Sequence, residues 1–529
     1  MPESTVNDSS RSNDSVWSDD KRQVTVIARN MGFEYVTIGV NLLLGIVMLP
    51  FNVSHLGKSA YGLWVLTTSI TTYFSMLELG YGSAQVKFAA QYRAKRDAAA
   101  INEITSTLFF LLMGVGTLAY VAAVVLSYNL GTLFNLDPAQ AGTGQAILLI
   151  VSAYVAMSFP FSVFGGIVNG FQQYYLNNVV SLFTSILVAL INVAVIGAGY
   201  GVVELVAATT AVRMLCNFAY RWNAYQAFPL LSVQWKHVRK ARLREVTGFS
   251  AFLLLINIAG KISYSADTVV IGAFLGTAAI AVWAVAQRLI GMIQMLTRQL
   301  NDALFPVIVK HATKNRNDRL QIVLLHGTRL SLASVIPMTT VLAMLASPLV
   351  TLWVGSGFGG SIPVIYIFAC SVSLAVGAMT AGSLLKGGGR HRLLAYTSLA
   401  GATANLTLSI LLVRQFGLVG IAVGTVIPKA IATLVVLWPA SCRRVELSYA
   451  RLLREAVWPA LWPAIPTVIV LLWTRNFSNG WVYLVLNAIL GGAIYLAVFT
   501  WLAINSHDRN WYFSQVRHLA GRPSVTATV

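Results

Sequence analysis

Charge is what this 529-residue chain has least of. Only 10% of its residues are Asp, Glu, Lys or Arg, where soluble domains carry about 25%. Acids are scarcer still, 18 against 37 basic residues. A water-soluble fold of this size needs a charged surface, so that class is excluded. Cysteine is nearly absent. Cys216, Cys370 and Cys442 lie far apart and offer neither a disulfide framework nor metal-ligand spacing. The histidines form no HExxH pair, and KGGGR at 386–390 lacks the spacing of a phosphate-cradling P-loop. With no catalytic constellation, metal site or cofactor motif, the chain is expected not to be an enzyme. Residues 1–24 are rich in Ser, Asn and Asp without an apolar stretch, which excludes a signal peptide there and reads as a disordered tail.

What is abundant is apolar sequence: 57% of residues, with a mean hydropathy of +0.69. It comes in blocks of about 20 residues, the length that crosses roughly 30 Å of hydrocarbon as helix. Backbone groups find no water in lipid, so such blocks must satisfy themselves as helices. Fourteen blocks are legible, from 25–50 to 481–504, separated by turn signals such as Pro50, Asp137-Pro138 and the run from Gly355 to Gly360. The expected fold is an all-α integral membrane protein of about 14 transmembrane helices.

Alternate links between blocks carry 21 basic residues, among them Lys87, Arg93, Arg239, Arg316, Arg390 and Arg443, whereas the opposite links offer Lys58, Arg414 and Arg475. By the positive-inside rule the basic links are cytoplasmic, and an even number of spans puts both termini there. This asymmetry accounts for the net charge of +19, so no nucleic-acid partner is expected. The link 221–245 is the longest, and its end, WKHVRKARLREV, reads either as a basic helix on lipid headgroups or as a solvated loop.

The two halves around that link resemble one another. Residues 200–213, YGVVELVAATTAVR, align with 416–429, FGLVGIAVGTVIPK, placing Gly201 on Gly417, Thr209 on Thr425 and Arg213 on Lys429. Residues 55–64, HLGKSAYGLW, align with 274–283, FLGTAAIAVW, placing Gly57 on Gly276 and Trp64 on Trp283. The offsets, 216 and 219, nearly agree. A parallel duplication of two six-span halves is therefore expected, an arrangement in which transporters bind substrate between halves that rock against each other.

An ionisable side chain at mid-membrane costs about 2.5–3.5 kcal/mol on insertion scales and calls for a partner or a wet cavity. Arg213, Lys261, Arg288 and Lys429 fall within spans, and Asp267 is the acid nearest the centre of the second half. Asp267 reads as an ion-pair partner of Lys261 or Arg288, or as a coupling group. One acid cannot neutralise these cations, so the surplus points to a hydrated cavity for an anionic substrate. Arg329 is expected to snorkel to the inner boundary.

HLGKSAYGLW, LELGYGSAQVKFAAQY at 77–92, FGGIVNGFQQYYLNN at 164–178, ADTVVIGAFLG at 266–276 and LWVGSGF at 352–358 together resemble the Wzx-type polysaccharide flippases. These belong to one superfamily with the multidrug and toxic compound extruders (MATE) and the lipid II flippases. The resemblance implies two six-helix lobes in a V-shaped, MATE-like arrangement, in the bacterial inner membrane. It implies a polyprenyl-pyrophosphate-linked oligosaccharide as substrate, moved outward by alternating access for surface polysaccharide assembly. The partners that follow are that lipid-linked glycan, membrane lipids, and a polysaccharide polymerase with its co-polymerase. The expected parts are a tail at 1–24, lobes at 25–222 and 247–441 joined by the basic loop 223–246, two extra spans within 442–504, and a cytoplasmic tail at 505–529. The alternative readings are an ion-coupled MATE-type drug exporter and a peptidoglycan lipid II flippase.

Overall fold

A computed structural model describes residues 23–78, 80–313, 316–474 and 480–509. Residues 1–22 and 510–529, which hold most of the two expected tails, lie outside the described residues. The described residues are helical, and eleven helices are long and apolar enough to cross a membrane. Two of these are double. Helix α1, Gln23–Phe74, breaks at Gly57, and α11, His391–Ile431, breaks at Gly417. With α7, Lys240–Leu275, the tally comes close to the expected fourteen.

Pro50 does not end the first span. The helix runs through it to Gly57, where φ is 78°. A proline deletes one backbone bond that a packed bundle tolerates, but a positive φ cannot be accommodated within a helix. The second copy of this hairpin behaves identically: Gly57 has φ 78° and ψ 165°, and Gly276 has φ 82° and ψ 177°. The sequence match thus coincides with a shared, glycine-requiring backbone conformation. The two hairpins also meet. Ser59 Oγ lies 3.0 Å from Thr277 Oγ1, and a Cβ on Gly62 would overlap the Thr277 carbonyl oxygen at 1.8 Å.

By compactness the chain divides into Met1–Ala281 and Val282–Val529. The first unit contains α1; α2, Tyr81–Ala94; α3, Ala98–Tyr128; α4, Pro138–Gly170; α5, Tyr174–Gly197; α6, Val202–Ala227; and α7. Helix α4 packs between α3 and α6, α5 covers α6 and α1, and α7 lies against α1, α2 and α3. Phe159, Phe164, Phe171 and Phe228 are all buried in one hydrophobic core of this unit.

Helix α6 runs on to Ala227, so the free link is shorter than 221–245. It contains one tight turn, Trp235–His237, and the segment from Lys240 is already the first turns of α7. No separate surface helix forms there. Instead the link is fastened along α3. Asn102 donates to the Leu230 carbonyl and accepts from the Ser232 amide. Ser106 donates to the Ser232 carbonyl and accepts from Gln234 N–H, and Thr107 accepts from Arg239 N–H.

The second unit holds α8, Thr277–Thr313, from Val282 onward; α9, Asn317–Met344; α10, Ser361–Gly387; α11, which continues through a π-helical turn, Ala432–Leu437, into Trp438–Arg444; α12, Tyr449–Thr474; and α13, Trp481–Ala503. Helix α9 is central, packed against α10 on one side and the α12–α13 hairpin on the other. Trp283 of α8 is fully buried edge-on against Phe368 of α10, with ring centroids 4.9 Å apart. The halves of α11 approach closely because Gly420 and Gly424 have no side chain. A Cβ on Gly424 would sit 2.8 Å from the Ser409 amide nitrogen.

Candidate functional site

The charges expected at mid-membrane fall on four helices. Arg213 lies near the middle of α6 and is exposed, whereas Thr209 and Val212 beside it are buried. Lys429 is half-buried, near the middle of the helical stretch between Gly417 and Arg444. Each cation follows its glycine break, Gly201 or Gly417, by the same distance in sequence. The matched cations therefore occupy equivalent positions along their helices.

The surroundings of Lys429 are polar for a local reason. Pro428 has no N–H to give the carbonyl of Gly424, and the helix widens into the π turn at Ala432. Four residues earlier, Thr425 accepts a 2.9 Å hydrogen bond from Asn405 Nδ2. Pro428 thus leaves the Gly424 carbonyl without its helical donor, and the buried Asn405–Thr425 pair lies one turn before the lysine.

Arg288 is exposed on α8, while Val285, Ala286 and Ile290 turn inward. Asp267 on α7 is buried, next to the buried Thr268. Asp267, Arg288 and Lys429 all have interaction partners. The Lys261 side chain lies outside the described residues. Arg213 and Asp267 belong to the first compact unit, Arg288 and Lys429 to the second.

Two further charged clusters escaped sequence reasoning. In the first unit, Arg242 donates to Glu103 Oε2 at 3.1 Å, Glu245 Oε2 at 3.1 Å and the Tyr92 hydroxyl at 2.8 Å. Burial opposes the Arg242 charge, but hydrogen bonds to Glu245 and Glu103 more than offset this and raise its pKa further. In the second, Arg329 does not snorkel. It is 7% exposed, donates to the Glu455 carbonyl at 2.7 Å, and is closed by the Asp508 carboxylate from beyond the last span. Apart from the i,i+3 pair Arg242–Glu245, neither cluster has a local sequence signal, because the other partners are over a hundred residues apart.

The fold defines a class. It is shared with a solved lipid II flippase, MurJ, in an inward closed conformation (TM-score 0.69, 13% identity, covering 92% of this chain and 99% of that one). It is shared as well with an inward-facing multidrug transporter of the MATE family (TM-score 0.66, 15% identity, covering 77% and 94%). The all-helical fold of this chain is the one these two membrane proteins share. Residues 55–363 match the family model described as "polysaccharide biosynthesis protein", more than half of the chain, and the chain belongs to that family. Among curated relatives, membrane protein EpsK of Bacillus subtilis (strain 168) is 20% identical over 339 residues, 62% of this chain and 66% of its own length. The probable low-salt glycan biosynthesis flippase Agl15 of Haloferax volcanii is 23% identical over 190 residues, 36% and 40% of the two chains. The chain thus spans less than two thirds of the length of either relative.

Proposed function

We propose that the protein is a flippase for polyprenyl-pyrophosphate-linked oligosaccharides, serving surface polysaccharide synthesis at the bacterial inner membrane by alternating access. The basic links and both termini are then cytoplasmic. The observation that carries the reading is the pair Arg213 and Lys429, sequence-matched cations at equivalent positions along their own helices, in a chain of the polysaccharide biosynthesis family. A pyrophosphate is anionic, and cations held in a poorly solvated cavity bind it through charge-assisted hydrogen bonds. Arg213, Lys261, Arg288 and Lys429 take that role. Arg213 and Arg288 are suited to bidentate contact with phosphate oxygens, and the two lysines act as point charges.

Asp267 serves as an ion-pair partner of Lys261 or Arg288, or as a coupling group. The working lobes are 25–222 and 247–441, with the α12–α13 hairpin outside the transport core. Transport makes and breaks no bond in the substrate, so no side chain acts on it as an acid, base or nucleophile. A polysaccharide polymerase and its co-polymerase receive the translocated unit. The name of Agl15 as a glycan flippase favours this reading over drug export. The likeness to MurJ leaves peptidoglycan lipid II as the second substrate class.

The test is Arg288→Gln and Lys429→Gln, singly, in a strain whose surface polysaccharide depends on this gene. Membrane insertion should be normal and polysaccharide export should fall at least tenfold. Full export by both variants would refute the cationic cavity. Altered drug tolerance with export unchanged would favour the exporter.

A further inference from the structure

We propose that the fastened link between α6 and α7 is a binding surface for anionic phospholipid headgroups. This goes beyond the transport reading and does not depend on its substrate. Trp235, at the turn of the link, is 70% exposed, yet it is held in place. Its ring packs edge-on against Phe110 of α3, with centroids 4.8 Å apart.

Phe110 supplies the depth. Helix α3 contains one charged residue, Glu103, and Phe110 lies seven positions further into the apolar stretch, about 10 Å along the axis. Beyond Glu103 the helix is apolar and of spanning length. An exposed indole beside Phe110 therefore sits at the boundary between headgroups and hydrocarbon, where tryptophan is favoured. Lys236, Arg239, Lys240 and Arg244 are exposed on the same link and the first turns of α7. With the indole fixed at the boundary, they stand at headgroup level.

The surface is preformed. Asn102, Ser106 and Thr107 hold the link backbone, and Glu103 holds Arg239 and Arg242 from beneath. A surface already ordered loses little conformational freedom when a headgroup binds. The distribution of charge selects the occupant. Exposed cations spread along the link suit several monovalent phosphates of a lipid surface. A single pyrophosphate would instead be gripped by converging groups. Each cation near an anionic surface contributes about a fivefold gain in association.

The test uses the full-length protein with mixed lipid, counting bound phosphatidylglycerol and phosphatidylcholine by native mass spectrometry. Wild type should retain phosphatidylglycerol preferentially. Lys236→Gln, Lys240→Gln and Arg244→Gln combined should lower that retention at least tenfold. The charge-preserving set Lys236→Arg, Lys240→Arg and Arg244→Lys should keep it. Equal retention by the neutral triple variant overturns the proposal, as does displacement of phosphatidylglycerol by equimolar undecaprenyl pyrophosphate, which would assign the surface to substrate. A second measurement survives misfolding of the triple variant. Brominated phosphatidylglycerol in nanodiscs should quench wild type more than Trp235→Phe, and by more than brominated phosphatidylcholine does. Equal quenching by the two lipids overturns the proposal.

Discussion

Asp508→Asn removes a charge that lies beyond the last span yet closes a cation within α9. Arg329 is 7% exposed, and the side chain of Asp508 is 20% exposed. Taking one partner from a buried ion pair costs about 3–5 kcal/mol because the other is left uncompensated. Two features reduce that figure here. Asp508 is partly solvated, and Arg329 keeps its 2.7 Å hydrogen bond to the Glu455 carbonyl. The expected loss is therefore about 2–3 kcal/mol. Arg329→Gln should lose a similar amount. The double variant should lose clearly less than the two single losses together, because removing both charges leaves none stranded. The assay is unfolding by SDS from mixed micelles, following helix content, with all four proteins run side by side. The local reading adds a positional check: the α12–α13 hairpin, which packs on α9, should become the first protease-sensitive region in Asp508→Asn. Additive losses, with a coupling under about 0.5 kcal/mol, would show that the ion pair does not hold this end of the unit.

Gly424→Ala places a Cβ 2.8 Å from the Ser409 amide nitrogen, so the halves of α11 must separate, at a cost of about 1–3 kcal/mol. The same SDS titration should show it, and an unchanged midpoint would mean the hairpin yields freely. Arg242→Met strips hydrogen bonds from Glu103, Glu245 and Tyr92 and leaves two carboxylates facing each other, a loss of about 1–2 kcal/mol. Trypsin should then cut the link at Lys236 or Arg239 several times faster than in wild type. A cleavage rate equal to wild type would show that the backbone bonds to Asn102, Ser106 and Thr107 fasten the link by themselves.

Much of the fold was legible because a membrane imposes simple rules on sequence. Apolar length reports spanning helices, and the match between HLGKSAYGLW and FLGTAAIAVW reports the duplication. The structure adds that Gly57 and Gly276 share one backbone conformation that other residues rarely adopt. Break points were less legible. Pro50 is the stronger sequence signal, but the chain turns at Gly57, because a missing hydrogen bond is tolerated in a packed helix and a left-handed φ is not. The link was less legible too: WKHVRKARLREV reads either as a basic helix or as a solvated loop, while the chain folds it as a turn followed by the start of α7.

The sequence by itself determined that the protein has membrane-spanning helices, that two pairs of stretches match between its halves, and that cations sit in apolar helices. Each of these follows from local composition or a repeated pattern. Only the tertiary structure decided which charges are closed by partners distant in the chain and which are exposed. Arg329 finds Asp508 across 179 positions, Arg242 finds Glu103 across 139, and Arg213 and Arg288 remain exposed on their helices. Charge pairing depends on distances of a few ångströms between helices, and no spacing along the chain encodes those distances.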